Sequence, residues 1–220
     1  MPHTFPSRQT LLKVYQTMLS IHGHRRWWPG ESDFEVMVGA ILTQNTAWKN
    51  VEKAIANLKQ ARLLSIHGIR NVPLRQLAQL IRPSGYFNQK AKKLKALIRY
   101  LDERFQGSLR KVKQVPLEIL REDLLKIWGI GPETADSILL YALDKPIFVV
   151  DAYTKRILTR HHWVDERADY HLIQQLFMDS LPQNQKLFND YHAQLVAVGS
   201  RYCKRSQALC EQCPLEPFLG

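Results

Sequence analysis

A sharp glycine turn between two helical patterns constrains the fold of this chain most. The turn is Gly129-Ile130-Gly131, and Pro132 after it suits a first helical position, where its missing N–H would have no helical partner anyway. Apolar residues behind the turn recur at helical spacing: Ala135, Ile138, Leu139 and Ala142. Two glycines let the backbone bend and approach a ligand closely, and amides at a helix start can face a phosphate. The stretch therefore predicts a helical hairpin with an anion-binding turn.

Further helical patterns fill most of the chain, and strand signals are nearly absent. Ser32 and Glu35 form a capping-box pattern, in which the serine caps a helix and the glutamate reaches back to the cap. The periodicity predicts helices at about 9–22, 32–43, 47–58, 74–81, 89–105, 116–127, 132–142, 152–161, 170–181 and 186–198. The predicted fold class is all-α.

The charge balance points to a polyanionic partner. Lys and Arg total 31 against 20 Asp and Glu, for a formal net charge of +11. Nucleic acid is the first candidate and an anionic membrane surface the second. The chain lacks the apolar run of about 18 residues that a membrane span needs, and its N-terminus lacks a signal-peptide core. We therefore expect a cytoplasmic protein, acting as a monomer and without a membrane partner.

The hairpin belongs to a wider pattern. Gly129-Ile130-Gly131, Thr134-Ala135 and Val150-Asp151 resemble, in order and spacing, the signature of the endonuclease III-like helix-hairpin-helix (HhH-GPD) DNA glycosylases. The resemblance implies a six-helix barrel domain with the hairpin over about 25–145. It also implies a second helical domain from 1–24 and 146–220, with a DNA-binding cleft between the two. The implied activity is base excision repair of damaged double-stranded DNA.

Asp151 is the predicted catalytic residue, because it matches the aspartate of that family. Cleavage of an N-glycosidic bond places positive charge on the sugar, which a nearby carboxylate stabilises while it aligns or deprotonates the attacking water. Asp151 follows the apolar run Ile147–Val150, at the edge of apolar surroundings. It can also serve as the N-cap of the next helix, and the two roles are compatible.

Glu133 marks a departure from the strand-cutting members of the family. Those members have a lysine at this position, and its amine attacks the sugar to form a Schiff base. A carboxylate cannot form that imine, although it suits the first turn of a helix. The sequence therefore predicts a monofunctional enzyme without lyase activity.

The predicted DNA contacts come from three places. Gln44 stands at the position of the family's inserting wedge, although a polar turn ending a helix is the alternative. Backbone amides of Gly129, Ile130 and Gly131 are implied to grip a phosphate, with a monovalent cation bound at the hairpin. Non-specific attraction is expected from three lysines after the second glycine turn, with ordinary solvated charges as the alternative: Lys90, Lys92 and Lys93.

Tryptophans suggest the substrate. Together, Trp27-Trp28-Pro29, residues 42–46 and residues 83–92 resemble the 3-methyladenine branch of these enzymes. An N-alkylated purine is cationic, and cation–π contacts with Trp27, Trp28 or Trp48 would each contribute about 0.5–2 kcal/mol. A core or interdomain role for these rings is the alternative. Oxidised pyrimidines or mismatched bases remain a second substrate class, and non-catalytic damage binding a third reading.

The C-terminal cysteines resemble part of an iron–sulfur loop. Cys203, Cys210 and Cys213 have the spacing of the first three ligands of the family's 4Fe-4S cluster, and Leu219 stands where the fourth would be. Cys₄ ligation is the rule for such clusters. A degenerate loop with free thiols is the alternative, and a zinc site is disfavoured by the lack of a neighbouring histidine at the usual spacing.

Overall fold

The computed structural model describes residues 5–25 and 27–219 of the chain. In those ranges it contains α-helices and short 3₁₀ turns but no β-strand, which confirms the all-α prediction. The α-helices are α1 (Arg8–His22), α2 (Asp33–Leu42), α3 (Trp48–Gln60), α4 (Ile66–Asn71), α5 (Leu74–Leu80), α6 (Phe87–Phe105), α7 (Leu109–Gln114), α8 (Leu117–Lys126), α9 (Pro132–Ser137), α10 (Ala152–Arg160), α11 (Tyr170–Ser180) and α12 (Gln185–Arg201).

Three local features differ from the predicted helices. The six-residue helices α4 and α7 were not predicted, since barely two turns show little periodicity. Helix α9 continues into a fully buried π-helical segment, Ile138–Ala142. The sequence suggests Thr46 as the cap of the third helix, but α3 begins after Ala47 and has no side-chain cap.

The capping box of α2 is shifted by one residue. Ser32 Oγ accepts a hydrogen bond from the Glu35 N–H at 3.2 Å, as predicted. The Glu35 carboxylate accepts from the N–H of Glu31 at 3.2 Å instead of the N–H of the cap. Helix α2 nevertheless begins where the pattern placed it.

The chain divides into two compact units, which we call the terminal unit (Met1–Trp28 with Pro146–Gly220) and the central unit (Pro29–Lys145). In the central unit, every residue of α2 from Phe34 to Leu42 is buried. Helix α2 packs against α3, α6, α9 and the π-helical segment. The hairpin helices are thereby anchored to the core of this unit.

The terminal unit is built around α12. An aromatic core surrounds the middle of this helix, with the rings of Phe148 and Phe177 stacked at 3.8 Å and Tyr191 edge-on to Phe148 at 5.8 Å. Helix α12 also packs closely on α10, because a Cβ at Gly199 would lie 2.5 Å from Cδ1 of Tyr153. The loop that begins at Ile147 and the start of α10 are thus set against α12.

Within residues 5–25 and 27–219, none of the helices has both the length and the apolar composition that crossing a membrane would require.

Candidate functional site

The hairpin of the central unit is held together by a buried ion pair. Arg121 of α8 donates two parallel hydrogen bonds to Asp136 of α9, from Nε to Oδ1 at 2.7 Å and from Nη2 to Oδ2 at 3.1 Å. The Asp136 carboxylate is fully buried, so its charge needs this bidentate partner. The turn between α8 and α9 is therefore fixed on both sides.

The two hairpin glycines are required for different reasons. Gly129 has φ +82°, and a Cβ there would lie 2.6 Å from Cε of Lys93, so both its backbone and its packing demand glycine. Gly131 has φ −95°, and a Cβ there would meet no atom within 4 Å. The protein's own packing does not require glycine at residue 131, which leaves open space at the start of α9.

Gln44 lies against the hairpin. Its Nε2 donates to the Thr134 hydroxyl at 2.8 Å and to the Gly129 carbonyl at 3.2 Å, while its Oε1 accepts from Lys93 Nζ. The predicted wedge side chain is thus held by three hydrogen bonds, one each with the turn, α9 and α6. Thr134, whose hydroxyl carries one of these bonds, was not singled out as a functional residue from the sequence.

The expectation that Lys90 is a surface cation is wrong. Its side chain is 1% exposed, and Nζ donates to the carbonyls of Leu42 at 2.8 Å and Ser84 at 2.6 Å. Burial, reinforced by the charge of Lys93, lowers the pKa of Lys90 to about 8. Lys90 joins two loops; of the other two predicted lysines, Lys92 is exposed and Lys93 half-buried.

A single cavity of the central unit collects several of these predicted residues. Its lining includes Gln44, Lys90, Lys93 and Gly129 together with Tyr86 and Trp128, which sequence reasoning missed. Tyr86 is 71% exposed and Trp128 is 56% exposed. Exposed aromatics beside a basic cavity suit stacking on nucleic-acid bases. Both residues stand next to a glycine of a predicted turn, and this position is the sequence signal that could have identified them.

The turn's own hydrogen bonds restrict the predicted phosphate and cation sites. The Ile130 N–H donates to the Ile127 carbonyl at 3.1 Å, so this amide is used within the turn. The Gly129 carbonyl already accepts from Gln44. A monovalent cation at the hairpin would have to share these carbonyl oxygens with the existing donors.

Asp151 of the terminal unit is the N-cap of α10. Its Oδ1 accepts a hydrogen bond from the Thr154 N–H at 2.7 Å, as the capping interpretation predicted. Its Oδ2 lies 3.6 Å from Nε2 of His192, a buried residue of α12 that the sequence did not identify. The side chain of Asp151 is 14% exposed. One oxygen is therefore engaged by α10 and the other faces an imidazole.

Opposing effects set the charge state of Asp151. Burial alone would raise the pKa of this carboxyl. The charge of His192 and the hydrogen bond from Thr154 outweigh burial and hold the pKa of Asp151 below its ordinary value of 3.8. Asp151 is an anion at neutral pH, which is the form that stabilises a positively charged sugar.

The predicted aromatic residues fall in both units. In the terminal unit the rings of Trp27 and Trp28 are 5.6 Å apart at 55°. In the central unit, Pro29 is exposed and Trp48 is half-buried, with its indole N–H donating to Glu52 at 3.0 Å. All three tryptophans keep part of their surface exposed, as binding residues must.

Glu133 occupies an exposed position in the first turn of α9. Its backbone carbonyl accepts a hydrogen bond from Ser137 Oγ at 2.7 Å. The residue therefore fits its helix position, and its side chain offers no amine there.

The cysteine side chains share one cavity of the terminal unit. Cys203, Cys210 and Cys213 line it together with Leu219, and Arg160 Nη1 donates to Cys203 Sγ at 3.2 Å. Burial raises the pKa of the Cys213 thiol. Among residues 5–25 and 27–219, no three His, Cys, Asp or Glu side chains are grouped to hold a single metal ion. Three thiols line the cavity, and Leu219 at the fourth position of the predicted loop supplies no ligand.

Comparison with known proteins gives a consistent family. Residues 38–183 match the family described as HhH-GPD superfamily base excision DNA repair protein. A putative DNA repair glycosylase of Methanocaldococcus jannaschii is 46% identical over 212 residues, covering 96% of each chain. Endonuclease III of Thermotoga maritima is 31% identical over 183 residues, which are 83% of this chain and 80% of the relative.

Solved structures show the same fold. H. pylori 3-methyladenine DNA glycosylase bound to 1,N6-ethenoadenine matches with a TM-score of 0.77 at 30% identity, covering 90% of this chain and 98% of that one. A non-covalent endonuclease III–DNA complex matches with a TM-score of 0.83 over 98% of this chain and 96% of that chain. At 22% identity, this second likeness concerns the fold alone.

Proposed function

The chain belongs to the HhH-GPD superfamily of base excision DNA repair proteins, and from that premise we propose a monofunctional DNA glycosylase that removes alkylated purines, 3-methyladenine foremost. The observation that carries the proposal is the ionised, partly buried Asp151 carboxylate at the start of α10. Its place in the family signature and its charge state suit stabilisation of a sugar cation.

The proposed reaction is hydrolysis of one bond. The N-glycosidic bond breaks with its electron pair leaving on the base, and positive charge develops on the deoxyribose opposite the Asp151 carboxylate. A water oxygen bonds to C1′, and its proton passes to Asp151 or to solvent. The target nucleotide must first leave the base stack, at a cost of a few kcal/mol.

Glu133 supports the absence of a lyase step. A carboxylate at the lysine position cannot form a Schiff base with the sugar. With borohydride and a duplex carrying the lesion, we expect no covalent protein–DNA adduct, whereas a trapped adduct would contradict the monofunctional proposal. Endonuclease III can serve as the positive control on its own substrate.

Two observations support an alkylated purine as the substrate. The H. pylori structure, which is of a 3-methyladenine DNA glycosylase, matches 90% of this chain at 30% identity. The adjacent rings of Trp27 and Trp28, half-buried in the terminal unit, suit a cationic base.

A second substrate class is favoured by a different relative. The 31% identity with T. maritima endonuclease III supports an endonuclease III-type enzyme, acting on oxidised pyrimidines or mismatched bases, as the alternative. A base-release assay on methylated, oxidised and mismatched duplexes at equal concentration separates the two. We expect free 3-methyladenine from the methylated duplex. Release from the oxidised or mismatched duplex but not from the methylated one would favour the alternative. No release from any duplex would favour a non-catalytic damage-binding protein.

DNA contacts are proposed to centre on the hairpin. Because the Ile130 N–H is used within the turn, the amides of Gly129 and Gly131 are the better phosphate donors of the three. Lys92 adds exposed positive charge, and Gln44 would need to leave its three hydrogen bonds to act as a wedge. Gln44→Ala should therefore reduce base release more than it reduces binding to undamaged duplex.

The cysteine segment is proposed to hold an iron–sulfur cluster through Cys203, Cys210 and Cys213. Such a group would tie the segment together as a structural element, and no step of the reaction depends on it. Iron and acid-labile sulfide measured in anaerobically purified protein test this proposal. Stoichiometric iron that is lost in Cys210→Ser would support it, and iron-free, fully folded protein would leave the loop with free thiols.

We propose that the protein acts as a monomer on double-stranded DNA in the cytoplasm. The net charge of +11 supports the DNA partner. Light scattering coupled to size exclusion, with and without duplex, tests the monomer, since a dimer mass at micromolar concentration would contradict it.

A further inference from the structure

A buried imidazole faces the carboxylate to which we assign the chemistry. We propose that His192 is a positioning residue, which holds the Asp151 carboxylate as an oriented anion for the reaction. This inference rests on the proposed glycosylase function. It adds to that function a second residue from another helix, which sequence reasoning did not find.

The two oxygens of Asp151 have different partners. Oδ1 accepts the Thr154 N–H at 2.7 Å, which fixes it to the first turn of α10. Oδ2 lies 3.6 Å from Nε2 of His192 on α12. Because the two partners come from different helices, rotation of the carboxylate about its Cβ–Cγ bond would weaken at least one of them. The geometry therefore defines one carboxylate orientation.

The imidazole of His192 is itself held in place. It is 4% exposed and lies edge-on to the ring of Phe148, with centroids 6.5 Å apart. On the same helix, Asp190 accepts from the Arg25 N–H at 2.8 Å, and Gln194 donates to the Gly23 carbonyl at 2.7 Å. These contacts tie α12 to Gly23 and Arg25, so the helix that carries His192 is fixed.

The burial of His192 costs free energy unless a polar partner compensates for it. Placing an imidazole against the aromatic core costs desolvation that an apolar residue would avoid. Facing a carboxylate offsets that cost, and a His–carboxylate pair is a common way to fix the orientation and charge of both groups.

The remaining charged and titratable groups nearby do not replace His192. On α10, Lys155 Nζ donates to the Ala168 carbonyl, and Arg156 donates to the carbonyls of Cys203 and Gly199. On α11, the Tyr170 hydroxyl accepts from the Val150 N–H at 3.4 Å. The third cation of α10, Arg160, donates to Cys203 Sγ and to the carbonyls of Lys204 and Arg205. All three cations of the helix capped by Asp151 are thus directed to other partners.

Without His192, only the hydrogen bond from Thr154 of α10 would oppose the effect of burial on the pKa of Asp151. Burial raises the pKa of Asp151, while the His192 charge is the largest influence that lowers it. Without the imidazole, protonation of Asp151 should occur at higher pH, and activity should be lost correspondingly earlier on acidification. A residue that only stabilises the fold would not change that profile.

The test compares single-turnover base release by wild type, His192→Phe and His192→Gln between pH 4.5 and 8. We expect His192→Phe to lower the rate at neutral pH about 10- to 100-fold and to raise the acid limb, which for wild type lies below this window, into it. His192→Gln keeps a hydrogen-bond donor but cannot carry charge, so its rate loss should be smaller while its acid limb also moves upward. It gives the same readout should the phenylalanine variant fail to fold.

A matched control comes from the same helix. Tyr191→Phe removes a buried hydrogen bond from the Tyr191 hydroxyl to the Leu11 carbonyl, without touching Asp151. It should lower stability and leave the acid limb unchanged. In an Asp151→Asn background, His192→Phe should cause no further loss of residual rate, because its partner is already absent.

The outcomes separate this inference from the proposed function. Wild-type base release with an acid limb that does not move in either His192 variant would overturn the positioning role alone. Full additivity of the two substitutions would do the same. Absence of base release by wild type from every duplex would overturn the proposed function, and this inference with it.

Discussion

The hairpin of the central unit and the Asp151 region of the terminal unit use different chemistry. At the hairpin, the polar groups facing the cavity are shared among a backbone turn, the Gln44 amide and lysine side chains. At the start of α10, one carboxylate lies between two partners, the Thr154 amide and the His192 imidazole. Under the proposed function, DNA binding would be distributed over several groups of the hairpin, whereas catalysis would depend on the single carboxylate of Asp151. Single substitutions should have small effects at the hairpin and large effects at Asp151.

The largest effect is expected from Asp151→Asn. The amide keeps the N-cap geometry but lacks the negative charge, so base release should fall about 100- to 1,000-fold while stability and binding to abasic-analogue DNA are retained. Single-turnover rates and thermal unfolding measure the two quantities. Asp169→Asn is the control, because Asp169 caps α11 in the same unit through the Leu172 N–H at 2.8 Å. Equal rate losses in both variants would show that loss of a helix cap, and not of a catalytic carboxylate, lowers the rate.

Substitutions of the two hairpin glycines should have different effects, one on stability and the other on DNA binding. Gly129→Ala forces a positive φ on alanine and a clash with Lys93, so it should destabilise the protein by about 1–3 kcal/mol. Gly131→Ala meets open space and should leave stability unchanged, while its methyl group weakens duplex binding about tenfold. Denaturant unfolding and duplex titration measure the pair. If Gly131→Ala binds duplex as tightly as wild type, the DNA phosphate does not bind at the Gly131 amide.

Lys90 should make the stability of the central unit depend on pH. With a folded pKa of about 8, against an ordinary value of 10.5, the unfolded chain binds more protons between these pH values. Unfolding free energy should therefore rise with pH across that window, and this rise should be absent from Lys90→Met. Denaturant titrations at pH 7.5 and 9.5 compare the two proteins. Parallel pH dependence in both would contradict the burial of the amine.

The smallest effect is expected from Lys92→Gln. This exposed lysine contributes a screened charge, so its loss should lower duplex affinity a few-fold and reduce the salt slope of log K by about 1. Duplex titrations at several salt concentrations give that slope. A loss of affinity independent of salt would indicate a specific contact instead.

The sequence predicted what is local and missed what is distant. Gly129, Pro132 and the cap at Asp151 follow from neighbours along the chain, and the structure has them as predicted. His192 lies 41 positions after Asp151, a pairing that helical periodicity does not encode. Lys90 was misjudged as surface charge because the carbonyls that bind it come from residues 42 and 84.

Site geometry needed the folded chain for the same reason. Gln44 was predicted from its place in a loop, but its hydrogen bonds run to Gly129 and Thr134, some 90 residues away. Trp128 precedes the glycines of the predicted turn and was given no role from the sequence, yet it is 56% exposed. Packing across sequence-distant helices decided each of these cases.

The most direct measurement follows one lesion-bearing duplex in a single turnover and quantifies both free base and strand breaks. The account predicts that 3-methyladenine is released while the strand stays intact until alkali or heat is applied, and that Asp151→Asn releases almost none. Strand cleavage equal to base release without alkali, or unchanged release by Asp151→Asn, would contradict it.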